Sequence, residues 1–179
     1  MAMLLLSAQA YAAEELVVKT SRHGERFDVQ ARAVVAAPAA LVWEVLTDYE
    51  RLPQFIPGIS RSVVSLRQRN RLLVDQGGEA RFFIFSYAIR VRLEVLEQPP
   101  TRISSRAVGG NVRLMNGRYE LHPGAAPGTV LLRYYGEIEP DFELPPLIGA
   151  TALRRTVERQ FGAMVAEIER RAGSGQAAK

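Results

Sequence analysis

The sequence predicts an α+β domain in which one curved antiparallel sheet closes around a single long C-terminal helix. Residues Leu147 to Arg171 carry the clearest helical periodicity. At about 100° per residue, Ala150, Leu153, Val157, Phe161, Met164, Val165 and Ile168 share one apolar face. Almost everything before that segment reads as short alternating strands, which need an apolar partner on one face to be stable. The 179 residues suffice for one domain with a substantial core, and no Pro/Ser-rich linker or shift in composition marks a second.

Composition removes several function classes. The chain has 23 Lys+Arg against 19 Asp+Glu, a net charge of +4. The basic residues are nearly all Arg and are spread along the chain rather than clustered, which argues against a nucleic-acid partner. A weak attraction to anionic lipid is compatible with the same charge. With no cysteine, thiolate metal sites, disulfides and cysteine nucleophiles are excluded. The two histidines, His23 and His122, form no ligand-spaced pair, so no metal and no other cofactor is expected.

Residues 1–13 contain a short apolar piece followed by Ala10-Tyr11-Ala12, the small-x-small form that a signal peptidase accepts. They read either as a signal peptide whose start was assigned too late or as an ordinary terminus. The first reading places the protein in the periplasm or outside the cell, the second in the cytoplasm. No run approaches the ~18–20 apolar residues of a membrane span. Residues 14–26 read as a polar, irregular N-terminal tail, and the domain as residues 27–171, followed by a disordered tail at 172–179.

Within the domain, Phe27, Val29, Ala31, Ala33 and Val35 alternate with polar residues, the pattern of a half-buried strand. Pro38 suits the first turn of a helix whose buried side holds Leu41, Val42, Val45 and Leu46. In L-P-Q-F-I-P-G, Leu52 to Gly58, two prolines four residues apart rule out a continuing regular helix and predict a rigid apolar elbow carrying Phe55 and Ile56. Strands follow at Ile59 to Arg67 and Arg71 to Arg81, joined by a turn at Arg69-Asn70. The second is interrupted by Gly77-Gly78, a bulge or sharp bend that would help curl a sheet. The run Phe82 to Tyr87 holds no turn residue, yet the chain must reverse near it into the strand Ala88 to Glu97. Further strands are read at Arg102 to Val108, Val112 to His122 and Thr129 to Glu139, before Pro140 to Pro146 leads into the long helix.

That order, and the phrase D-Y-x-x-x-P-x-F-x-P carried by Asp48, Tyr49, Pro53, Phe55 and Pro57, resembles the polyketide cyclase / coenzyme Q-binding branch of the START-like (SRPBCC) superfamily. Arg71-Leu72-Leu73-Val74, the junction Gln98 to Ile103 and the closing helix are similar to that family as well. The resemblance covers roughly Phe27 to Arg171. It implies a helix-grip fold, with two short helices after the first strand and an apolar cavity between sheet and C-terminal helix. Members bind lipids, quinones, polyketides or other hydrophobic molecules, and some associate with ribosomes. No shared catalytic residue set carries over, and fold alone does not fix function.

The expected function is binding or transport of a hydrophobic small molecule. The alternatives are a cyclase or dehydratase that acts by confinement and a protein-interaction module. The candidate cavity residues are Phe55, Phe83, Phe85, Tyr87, Tyr119, Tyr134, Leu153, Arg154, Val157 and Phe161, a mostly apolar set with one charge. Two readings stand for the aromatics, cavity lining or plain core. A third applies to Phe82 to Tyr87, transient membrane contact if the hairpin tip lies there. Arg154 either holds a polar head group inside the cavity or sends its head to water and pairs with Glu158 one turn on. Asp48 and Tyr49 are read as bracing the elbow rather than as a catalytic pair, because no His, Cys or Lys is placed to assist them. Glu137, Glu139, Asp141 and Glu143 read as a solvated acidic face.

Overall fold

The computed structural model describes residues 16–82, 85–142 and 149–177. Eight strands form one antiparallel sheet: β1 (Val17–His23), β2 (Arg26–Val35), β3 (Ile59–Gln68), β4 (Arg71–Phe82), β5 (Phe85–Gln98), β6 (Arg102–Gly110), β7 (Val112–Pro123) and β8 (Val130–Pro140). Their order across the sheet is β1-β2-β8-β7-β6-β5-β4-β3, a meander from β3 to β8 with β2 returning beside β8. Between β2 and β3 lie α1 (Ala39–Leu46), a 3-10 turn at Tyr49–Arg51 and α2 (Leu52–Phe55). The long helix α3 (Gly149–Ala177) packs against β1, β2, β4, α1 and α2. This is the helix-grip fold.

The period-two pattern of β2 is realised in full, with Phe27, Val29, Ala31, Ala33 and Val35 all buried. They form one core with Val42, Val45 and Leu46 of α1 and with Met164, Val165 and Ile168 of α3. Each Phe, Val, Leu, Ile or Met among them contributes about 1.5–3 kcal/mol by leaving water. The sheet curls where the pairing register slips. Shifts occur between Ile59 and Arg61, Val64 and Leu66, Arg92 and Leu93, and Val112 and Leu114.

Four expectations are corrected. The stretch read as a polar tail at 14–26 contains strand β1, paired with β2 from Val17↔Arg32 to His23↔Arg26. Its alternation is hidden because the less exposed side holds Val18, Thr20 and Arg22, of which only Val18 is apolar. Thr20 Oγ1 donates to the Ala150 carbonyl at 3.2 Å, and the Arg22 guanidinium sits 5.1 Å from the Phe27 ring centre, so polar side chains fasten this edge strand. Second, β4 passes through Gly77-Gly78 without interruption on its β5 side, and the irregularity lies in β3 opposite.

Third, β4 and β5 pair as far as Phe82↔Phe85, so β5 begins three residues before the expected Ala88, and residues 83–84 stand between the two strands in sequence. Those two residues, and with them Phe83, lie outside the described residues, as do the 1–13 segment and residues 143–148 before α3. Fourth, α3 continues to Ala177, past the expected end at Arg171. The tail expected to be disordered from residue 172 therefore begins as helix. The Ser174 hydroxyl donates to the Arg170 carbonyl at 2.9 Å along the continuing helix.

Two polar clusters fasten the elbow. Arg171 donates to Asp48 at 2.8 Å and to Glu167 at 2.7 Å, and Arg170 also donates to Glu167. The Arg170 hydrogen bond first, then that of Arg171, holds the Glu167 carboxyl down to about 2. Asp48 therefore braces α3 rather than capping a helix. Deeper in, the Tyr49 hydroxyl donates to Glu97 at 3.0 Å, and Arg67 approaches the same carboxylate at 3.7 Å. Burial and the neighbouring Glu97 carboxylate raise the Tyr49 phenol well above its ordinary range, so it stays a donor. The acidic run near the end of β8 is paired at the surface, Glu137 with Arg26, and Glu139 and Asp141 with Arg113.

Candidate functional site

The N-terminal half of α3 does not press flat onto the sheet. Between them lies a pocket of about 220 Å³. Its floor is Met115 and Tyr119 of β7 with Tyr134 and Ile138 of β8, and Ala80, Ile89 and Val91 of β4 and β5 make one wall. The helix wall is Leu153, Thr156, Val157, Gln160 and Phe161, and Phe142 closes one side. Next to it is a second, polar groove of about 360 Å³ lined by Pro57, Gly58, Ile59, Ser60, Glu79, Thr156, Arg159 and Gln160. The pocket and the groove share Gly58, Ile59, Glu79, Thr156 and Gln160, which form the neck between them.

Backbone contacts build that neck. Gly58 has φ +86°, the left-handed region that favours glycine. Its carbonyl accepts the Glu79 N–H at 2.9 Å, and the Gln160 side-chain amide donates to the Pro57 carbonyl at 3.0 Å. The elbow is thus tied to β4 on one side and to α3 on the other. The Ser86 hydroxyl donates to the Glu79 carboxylate at the rim.

Tyr119 and Tyr134 stand directly opposite each other on β7 and β8, with ring centres 4.8 Å apart and planes at 43°. Tyr119 also stacks on Phe161 of α3, at 6.5 Å and 7°. Burial pushes both phenols up, Tyr134 to about 12, and the neighbouring Tyr134 phenol adds to the effect at Tyr119. Glu79 is the one charged residue among the pocket's described lining. General acid-base work needs two groups matched in proton affinity within hydrogen-bond reach, and the lining supplies two high-pKa phenols and one rim carboxylate. Among the described residues, no three or more His, Asp or Glu come together as a metal site requires.

The structure separates the expected cavity residues into groups. Tyr119, Tyr134, Leu153, Val157 and Phe161 line the pocket. Tyr87 stands behind it, stacked on Phe142 with ring centres 3.9 Å apart and planes at 4°. Phe55 lies at the other end of α3, its ring centre 5.7 Å from the Arg171 guanidinium carbon. Arg154 is outside the pocket and donates to Glu158 at 2.7 Å, one helical turn on. The pocket face is centred on Leu153, Val157 and Gln160, and Arg154 falls just beyond its edge at 100° per residue. Phe83 and the side chain of Phe85 lie outside the described residues.

Sequence reasoning missed Thr156, Gln160, Gln76 and Glu79. A signal existed for two of them. Thr156 and Gln160 are three and seven residues after Leu153, on the face that also presents Val157, so helical spacing alone places them beside the apolar residues. Their polarity is what hid them.

No curated protein matches the sequence. Solved structures share the fold. The Zhui aromatase/cyclase of a Streptomyces species superposes with a TM-score of 0.67 at 20% identity, over 82% of this chain and 95% of that one. A STAR-related lipid transfer protein from Xanthomonas axonopodis gives 0.70 at 15% identity, over 89% and 96%. Human STARD10 gives 0.64 at 12% identity, over 86% and 72%. At these identities the likeness is one of fold. The sequence itself matches the family model described as polyketide cyclase / dehydrase and lipid transport over residues 35–165, most of the domain, and the chain belongs to that family.

Proposed function

We propose that the protein binds and carries a hydrophobic small molecule, of the lipid, quinone or polyketide-like kind, in the space between the N-terminal half of α3 and the sheet. One observation carries this reading: a pocket of about 220 Å³ lined largely by apolar and aromatic side chains, beside a polar groove that offers a way in. Affinity would come from apolar burial, at about 25 cal/mol per Å² less the cost of ordering. Tyr119, Tyr134, Leu153, Val157 and Phe161 are the contact residues in this reading. The Pro57–Gly58 neck, tied to Gln160, is the part that must give way for the ligand to enter. The family's description includes cyclases, but among the described residues the lining offers no matched acid and base, which favours a carrier over an enzyme.

Val157→Trp tests the location. The added ring should fill the pocket and weaken binding of a naphthalene-type fluorescent probe by roughly tenfold or more, about 1.4 kcal/mol or above. The circular dichroism spectrum should stay unchanged. A folded Val157→Trp variant with wild-type affinity would place the binding site elsewhere.

A further inference from the structure

The two edges of the sheet are finished differently. On one side β3 is last, and the 3-10 turn and α2 pack against it, with the Val64 N–H donating to the Glu50 carboxylate at 3.4 Å. On the other side β1 is last, and among the described residues no element pairs with its outer edge. α3 covers the inner face of β1, where Thr20 Oγ1 donates to the Ala150 carbonyl, while Lys19, Ser21 and His23 stand exposed on the outer face. A strand edge in this state presents a row of N–H and C=O groups that a further extended chain can take up.

Charge is unevenly placed beside that edge. Lys19 faces Gln30 across the β1–β2 ladder, Arg32 lies two residues along on the same face, and Arg133 of β8 is directly opposite Arg32. Like charges so placed, with Cα atoms about 5 Å apart, destabilise a sheet. Other arginines on this face are matched, Arg26 with Asp28 and Glu137, and Arg102 and Arg118 with Glu120. The side chains of Lys19, Arg32 and Arg133 have no ion pair or hydrogen bond among the described residues. Three cations far apart in sequence thus become one unmatched strip at the open edge.

The surroundings of the strip narrow its partner. A bilayer or a nucleic acid needs a broad basic surface, and this one is boxed in: Asp28 and Glu137 follow Gln30 and Tyr135 two residues along, and Glu120 lies opposite Arg133. A second copy of the chain, pairing β1 on β1, would bring the cations of both copies to one seam, which is how an edge lysine guards against self-pairing. An extended chain with carboxylates on its outward face meets neither obstacle.

We propose that β1 is a docking edge for an extended acidic segment of a partner protein, which adds to the sheet beyond Val17–His23. Its backbone pairs with the free side of β1, and carboxylates at alternate positions stand beside Lys19. Two strand spacings, about 10 Å, separate them from Arg32, a gap that an arginine and a glutamate side chain together span. Arg133 adds to the field from one strand further in. Docking at this edge is independent of what the pocket holds.

Fluorescence anisotropy and amide hydrogen exchange on the full chain test this with three short labelled peptides. One alternates Glu and Thr, one alternates Gln and Thr, and one keeps the same number of Glu residues around two central prolines, which remove donors from both of its edges. The first should bind at least about tenfold tighter than either of the others and slow exchange of the β1 amides. The Lys19→Gln, Arg32→Gln double variant, at two exposed positions, should bind it roughly three- to tenfold more weakly and keep its uptake of an apolar probe. Equal binding of the Glu and Gln peptides would overturn the charge selection, and equal binding of the proline peptide would overturn strand pairing. Exchange slowed along β3 instead of β1, or no binding of the Glu peptide up to about 1 mM, would overturn the proposal outright. A dimer that protects the β1 amides without peptide would overturn it in favour of a second copy. Tighter binding of a single-stranded oligonucleotide or a phosphatidylglycerol vesicle, lost in the double variant, would overturn it in favour of that partner.

Discussion

Gly78→Ala is expected to lower stability by about 2–4 kcal/mol, a large loss for the addition of one methyl group. A Cβ at Gly78 would lie 1.9 Å from the Gly58 carbonyl oxygen and 3.1 Å from the Ile59 Cα, and both are backbone atoms that no rotamer change can remove. The elbow would have to lift away from β4, breaking the 2.9 Å hydrogen bond from Glu79 N–H to Gly58 carbonyl. The same movement would pull Pro57 from the Gln160 amide and open the neck of the pocket. Urea unfolding checks the stability term. Faster release of a bound apolar probe from whatever fraction remains folded checks the second. At the neighbouring Gly77, a Cβ would meet only ordinary contacts at 3.8 and 4.0 Å, so Gly77→Ala should cost far less. Equal losses at both positions would show that the pair matters for strand flexibility and not for the close approach of the elbow.

Ile168→Ala is expected to cost about 3–4 kcal/mol and to leave apolar-probe affinity unchanged. Ile168 is fully buried in the core that α3 forms with the sheet and α1. Deleting its branches leaves a cavity that the surrounding side chains close only in part. Leu153→Ala should behave in the opposite way. Leu153 is also buried, yet one side of it faces existing open space. Truncating it enlarges the pocket instead of creating a new void, so the cost should fall to about 1–2 kcal/mol while probe affinity changes. Thermal unfolding and probe titration on the two variants measure both quantities. A large stability loss at Leu153 with no change in affinity would mean that the whole face of α3 is ordinary core.

The pairing of stability at one end of α3 with binding at the other explains which features were legible in the sequence. Where packing is the task, side-chain polarity reports position: β2 and the Met164 to Ile168 half of α3 are buried where their periodicity places them. Where polar side chains work inside, the same signal misleads. β1 is held by Thr20 and Arg22 and so read as a tail, and Thr156 and Gln160 line the pocket although the helical stripe passed over them. Arg154 lay at the edge of the stripe, which periodicity fixes only to within a residue or two. The role of Gly78 was beyond reach for another reason. Its constraint comes from Gly58, twenty positions away in sequence and in contact only after folding. Phe55 belongs to the family phrase yet serves the Arg171 end of α3, whereas Pro57 of the same phrase stands at the neck, so the phrase marks the elbow's architecture more than the pocket lining.

The central claim is that the space between α3 and the sheet holds a hydrophobic ligand. Native mass spectrometry of the full chain, extracted gently from its own cells, tests it most directly. The account predicts one small apolar molecule per chain, released intact on denaturation and absent from the Val157→Trp variant prepared in the same way. A wild-type chain of bare protein mass that also fails to take up apolar probes in solution would contradict it.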